Sequence, residues 1–253
     1  MCGRFAVIRQ LDELARLFEA GLIRMEPFEP NYNVAPTTVV PAVITEDGKR
    51  ELTGLTWGFT PRWAKSLKDG PRPINARRET VATNGMFRNA FSRRRAIIPA
   101  DGFFEWKREA SGKQPFYIHR ADGNVMAFAG IWEHWTDPEG KLETPLDSCA
   151  IITTQSNDEM AEIHDRMPVI LEPEDWDRWL DLISATPNRS KISSNLGRPG
   201  DRIPPGRLRC GQCPEQSSGS NRAPGARAAL LDLPAATGNL RLRLRRREVS
   251  RLA

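Results

Sequence analysis

The sequence predicts an α+β fold built on a curved, mainly antiparallel β-sheet. Three observations predict it. Short strands alternate with short helices, the strands are joined by local hairpin turns, and no βαβ unit recurs that would demand a parallel sheet. The chain has 253 residues, enough to bury a sizeable core. Hydrophobic residues make up 39% and charged residues 27%, as in soluble globular proteins.

Each element has its own sequence signal. Residues 3–8 suit a strand, and Leu11, Leu14, Ala15 and Phe18 then recur at helical spacing until Gly21. Residues 39–44 and 52–57 are apolar runs flanking TEDGKRE, whose Asp-Gly pair predicts a hairpin. A second hairpin is expected between PFYIHR and VMAFAGIW across ADGN, with NARRETVATNGMFRNAFSRRR as a loop entering a helix. AIIPADGFFEW, SCAIITT and PVIL read as strands. In SNDEMAEI, Ser156 followed by Glu159 predicts a capping box and a short helix, with His164 just past its end. EPEDWDRWLDLI places Pro173 in a first turn and Trp176, Trp179, Leu180 and Ile183 on one helical face.

The composition then breaks. Residues 1–185 are expected to form the folded domain, and residues 186–253 a basic tail without packed structure. That tail contains no Phe, Trp or Tyr and is rich in Arg, Gly, Pro and Ser. It cannot bury enough apolar surface to offset the entropy of ordering. From Pro187 onward 13 Arg and one Lys face four acidic residues, a balance of +10. With a whole-chain charge of +5, the first 186 residues therefore carry −5. A nucleic-acid reading of the body must rest on where its arginines lie, not on total charge.

No stretch approaches the roughly 20 apolar residues of a membrane helix, and no secretory signal is legible. A cytoplasmic location is expected. In that reducing setting the four cysteines, at 2, 149, 210 and 213, are not disulfide partners. CGQC at 210–213 has the spacing of a metal pair but lacks a second pair, so no metal or other cofactor is expected.

Four stretches place a chemically competent side chain at a strand end or tight loop. They are MCGRF (Cys2), PINARRET (Asn75), ADGFFEW (Glu105) and EIHDRMPVIL (His164). Singly, each has a plain structural reading: a buried thiol, a turn asparagine, an arginine-paired glutamate and a hydrogen-bonded histidine. Together with NYNVAPT, LTWGFTPRW and FAGIWE they fall in a fixed order across the first 180 residues or so, and that order resembles the SOS-response-associated peptidase (SRAP) family of abasic-site processing proteins.

The resemblance implies an open barrel with flanking helices. It also implies a catalytic set of Cys2, Asn75, Glu105 and His164, with Cys2 as nucleophile once Met1 is removed. The implied partner is single-stranded DNA containing abasic sites, engaged by a monomer. The chemistry is coherent from first principles. An α-amine with a pKa of about 7.7–8.0 is partly neutral, unlike a lysine at about 10.4, and can attack an open-chain sugar aldehyde. A thiol on the same residue then closes a five-membered ring intramolecularly. Glu105 suits general-acid work, His164 protonation or holding of the opened sugar, and Asn75 orientation of the amine or aldehyde. Arg4, Arg77 and Arg78 adjoin these positions and suit DNA phosphates. Trp63, Met86 and Phe87 are candidate stacking platforms or wedges. SRRRA at 92–96 reads equally as a solvated face or a backbone clamp.

The family pattern continues with a Val-Asn-rich strand that residues 186–253 do not show. Their composition matches the product of a frameshift in a GC-rich gene, which the neighbouring reading frame would test. Two other functions stay open at this point: a peptidase with an N-terminal cysteine nucleophile, and a noncatalytic single-strand binding module.

Overall fold

The computed structural model describes residues 2–68, 70–110 and 112–181, together with the backbone of Leu208–Gln212. The described strands are β1 (Arg4–Val7), β2 (Leu22–Arg24), β3 (Asn31–Val34), β4 (Val39–Glu46), β5 (Lys49–Trp57), β6 (Asn75–Arg77) and β7 (Arg95–Ala100). They continue with β8 (Gly102–Glu109), β9 (Gly112–Arg120), β10 (Met126–Trp135), β11 (Leu146–Gln155), β12 (Arg166–Pro168), β13 (Ile170–Leu171) and β14 (Leu208–Gln212). Short helices α1 (Leu11–Leu17), α2 (Arg78–Val81), α3 (Arg88–Arg93), α4 (Asp158–Ala161) and α5 (Trp176–Leu180) flank them.

Two sheets form. The larger runs β12-β11-β10-β7-β4-β5-β2, and a parallel pairing of β11 with β5 joins strands within it. That contact closes β5-β4-β7-β10-β11 into a ring, so the expected curved sheet becomes a small barrel. The second sheet runs β14-β9-β8-β1-β3. Phe5 on β1 meets Trp57 edge-on at 4.9 Å, and Phe103 on β8 meets Phe128 on β10 at 5.9 Å. All four rings are fully buried. Each contributes about 1.5–3 kcal/mol of transfer free energy, so this aromatic layer anchors the second sheet to the barrel.

The β4–β5 hairpin forms as expected, with Asp47 (φ 50°) and Gly48 (φ 74°) both in the left-handed region that matches the twist of the strands. The second expected hairpin does not form. ADGN does turn, since Gly123 N–H donates to Arg120 O and Asn124 N–H to Asp122 Oδ1. The flanking strands then part: β9 pairs with β8 and β14, and β10 with β7, β11 and β13. Burial explains the correction. β10 is buried on both faces along most of its length and needs a partner on each side within the barrel, whereas β9 is only half-buried.

The α4 helix begins one residue later than the capping-box reading. Asn157, not Ser156, is the N-cap, its side chain accepting the N–H of Met160 at 2.9 Å. Trp179 is anchored by its Nε1–H to Ala96 O and covered by the guanidinium of Arg95, and Trp176 packs on Phe18. Ile183 lies outside the described residues, as does most of 186–253. Within that stretch, expected to lack structure, Leu208–Gln212 instead adds an edge strand to β9. Cys210 falls on it and Cys213 lies outside the described residues.

Candidate active site

Sheet register assembles the site. Arg4 pairs with Phe104 and Phe5 with Phe103, so one further step along β1 and β8 brings the amino-terminal Cys2-Gly3 segment beside Glu105. The first position of β8 favours glycine, because a Cβ at Gly102 would lie 2.3 Å from the ring of Tyr117. On the barrel, β11 serves as a shared template. Ile151 pairs with Asn75 of β6 in parallel, and Gln155 with Arg166 of β12 in antiparallel. Asn75 and the loop bearing His164 are thereby fixed on opposite flanks of one strand.

Cys2 is fully buried, and its carbonyl accepts a hydrogen bond from Asn75 Nδ2 at 2.9 Å. The other end of that amide, Asn75 Oδ1, is a buried acceptor with no hydrogen-bond partner among the described residues. An amide that grips the Cys2 backbone on one side therefore offers an empty acceptor on the other. Burial, and then the nearby Glu105 carboxylate, push the Cys2 thiol well above the ordinary cysteine range. Sulfur is thus held as a neutral thiol. Glu105 is itself 2% exposed, a carboxyl group almost wholly removed from water.

His164 lines a cleft of about 260 Å³ with Glu105, Trp106, Arg108 and Lys113. The backbone N–H of Arg166 donates to His164 Nδ1 at 3.0 Å, so in this arrangement Nδ1 is an acceptor and a ring proton falls on Nε2. Asp165 Oδ1 also lies 3.0 Å from Nδ1. The Arg166 side chain reaches back across β11: Nη1 and Nη2 donate to the two carboxylate oxygens of Glu79 at 2.7 and 3.0 Å, and Nη2 also to Thr153 O at 2.7 Å. This fork ties the His164 loop to α2, immediately after Asn75. Arg166 and Glu79 received no role from sequence. Each charge sits inside a recognised motif, but a pairing 87 residues apart has no local signal.

The candidate binding residues separate. Arg77 is exposed, Arg78 and Arg4 are half-buried, and Arg4 Nη1 donates to Asn33 Oδ1 at 3.4 Å. Trp63 is 63% exposed, a large ring open to solvent. Phe87 is buried and meets Phe59 edge-on at 5.3 Å, and Met86 packs half-buried on the same core. Phe87 is thus a core residue rather than an exposed platform. Within SRRRA, Arg94 pairs with buried Glu133 at 2.6 Å and Arg95 is buried over Trp179, so neither is a backbone clamp. Cys149 lies fully buried in the barrel wall. Among the described residues no cluster of His, Cys, Asp and Glu is arranged to hold a metal ion.

A buried cysteine at position 2 is thus gripped by an asparagine amide, near a buried carboxyl and a histidine-lined cleft. The chain belongs to the SOS response associated peptidase (SRAP) family, whose sequence model matches residues 1–202. It is 42% identical over 190 residues to the abasic site processing protein YoqW of Bacillus subtilis (strain 168), covering 74% of this chain and 84% of that protein. It is 38% identical over 188 residues to the abasic site processing protein YedK of Escherichia coli (strain K12), covering 71% and 79%. A crystal structure of a Bacteroides thetaiotaomicron protein shares the fold, with a TM-score of 0.71 at 24% identity over 84% of this chain and 92% of that one.

Proposed function

We propose that this protein captures abasic sites in single-stranded DNA through a covalent thiazolidine formed by Cys2, once Met1 has been removed. The observation that carries the reading is the Asn75 amide, which holds the Cys2 carbonyl and leaves Oδ1 as an empty acceptor. That oxygen suits the N–H of a Cys2 α-amine and would turn the nitrogen lone pair toward an incoming aldehyde.

The reaction balances without a cofactor. The neutral α-amine adds to C1′ of the ring-opened sugar, and a proton moves from nitrogen to oxygen to give a carbinolamine. The Glu105 carboxylate takes the remaining N–H proton and passes it to the departing hydroxyl, so water leaves, an imine remains and the carboxylate is regenerated. The thiol adds to the imine carbon as its proton passes to nitrogen, which closes the ring. One water is released overall. His164, with Nε2–H directed by its Nδ1 acceptor bond, holds or protonates a sugar or phosphate oxygen at the cleft wall. A protein shielding its lesion in this way acts in DNA damage repair.

A cysteine peptidase acting through Cys2 fits the site less well. Peptidase chemistry wants a thiolate, whereas burial and the Glu105 charge both hold Cys2 protonated. The amine-first route needs sulfur only in the second, intramolecular step. Incubation with an abasic single-stranded oligonucleotide, followed by denaturing electrophoresis and intact mass, tests the proposal. The expected product resists denaturant, weighs the sum of both partners less one water, and is absent with C2A. Cys2-dependent cleavage of a peptide leader without any DNA adduct would favour the peptidase instead.

A further inference from the structure

The β8–β9 hairpin carries two cations face to face. Arg108 pairs directly with Lys113, one alternation beyond the Trp106–Pro115 pair. Side chains two apart on a strand share a face, so Trp106, Arg108 and Lys113 project together. All three line the cleft that holds Glu105 and His164. Like charges directly opposite in a sheet repel and weaken the hairpin. Both side chains are exposed, and among the described residues neither makes an ion pair or a side-chain hydrogen bond. Glu109, next along β8, alternates to the other face. The fold thus retains a repulsion that a bound anion would relieve, at the mouth of the reactive cleft.

We infer that Arg108 and Lys113 form a phosphate subsite that grips one backbone phosphodiester of the strand beside the reacting sugar. This rests on the proposed DNA substrate. The planar Arg108 guanidinium offers two parallel N–H donors to the non-bridging oxygens, and Lys113 adds a compact charge from the neighbouring strand. The subsite touches no base. It sets where along the strand the lesion must lie for its C1′ to meet Cys2, and it works equally on any flanking sequence.

The test uses the full chain carrying K113E, which replaces the repulsion by an attractive cross-strand pair with Arg108. Affinity for an unmodified oligothymidylate is measured by fluorescence anisotropy across a salt series, together with the thermal midpoint and the rate of adduct formation on an abasic oligonucleotide. The salt dependence, as the slope of log affinity against log salt, should flatten by about 0.7, the share of one phosphate on a single strand. The thermal midpoint should not fall. The DNA concentration giving half-maximal adduct rate should rise several-fold. R108K should keep the wild-type slope. An unchanged slope in K113E, or a fall in maximal rate without a change of slope, overturns the subsite. Wild-type protein that binds with full slope but forms no adduct overturns the crosslinking reading alone, and leaves the subsite standing if K113E still flattens the slope.

Discussion

Cys2 and Cys149 are the same side chain at the same burial, in two regions with different polar surroundings. Both are fully buried and burial pushes both thiols far above the ordinary range. Cys149 sits in β11 against the closing strand β5, paired with Trp57, and burial alone accounts for its shift. Cys2 adds the field of Glu105 and the grip of Asn75. Burial by itself therefore says little about reactivity. What distinguishes the two is a set of polar groups brought to the chain's beginning by strand register and, under the proposed function, the α-amine that removal of Met1 would expose.

The largest expected effect breaks the comparison outright. C2A should abolish the denaturant-resistant DNA adduct, whereas C149A should keep it and cost about 1 kcal/mol of stability, read from paired gel and thermal-melt assays. Next, E105Q should slow adduct formation by about 10²–10⁴-fold in single-turnover kinetics, with the same final adduct mass, because a general acid is lost and the nucleophiles remain. A third contrast separates core from surface aromatics. F87A should destabilise the fold by about 3–5 kcal/mol in denaturant titrations. W63A should leave stability unchanged and weaken reversible single-strand binding by about 1–3 kcal/mol if its ring stacks on a base.

The smallest effect concerns the tie between α2 and the His164 loop. The hydrogen bonds from Arg166 lower the Glu79 pKa. A depressed carboxylate stabilises the fold above its unfolded pKa, near 4.3, and loses that contribution as pH falls through the folded value. E79Q should therefore flatten the stability curve below about pH 4 by less than about 1 kcal/mol, since the Glu79 side chain is 41% exposed and screened by water. If the fork positions His164, E79Q should also lower the maximal adduct rate without changing reversible affinity.

The elements carrying strong local signals were legible in the sequence. The β4–β5 hairpin was fixed by its Asp-Gly turn, and α1 and α5 by apolar spacing. What sequence could not convey was partnership over distance. ADGN is a real turn, yet its flanking strands belong to different sheets, because β10 is apolar on both faces and only the barrel could cover it. The β5–β11 contact that closes the ring is a parallel pairing between segments far apart in the chain. At the site, ordered motifs singled out Cys2, Asn75, Glu105 and His164, and the register of β1 on β8 and of β6 and β12 on β11 brings them toward one region. Phe87 looked like an exposed wedge because NGMF reads as a loop, but the turn points its ring inward onto Phe59. Arg166 and Glu79 escaped notice because an ion pair across a barrel leaves no periodicity.

The most direct measurement compares two forms of one protein on the same abasic single strand: one with Met1 removed, the other with Met1 retained so that the Cys2 nitrogen is locked in a peptide bond. The account predicts a denaturant-resistant adduct, lighter than the sum of its parts by one water, from the processed form alone. An equal yield from the Met1-bearing form would show that neither the amine nor the ring it closes is needed.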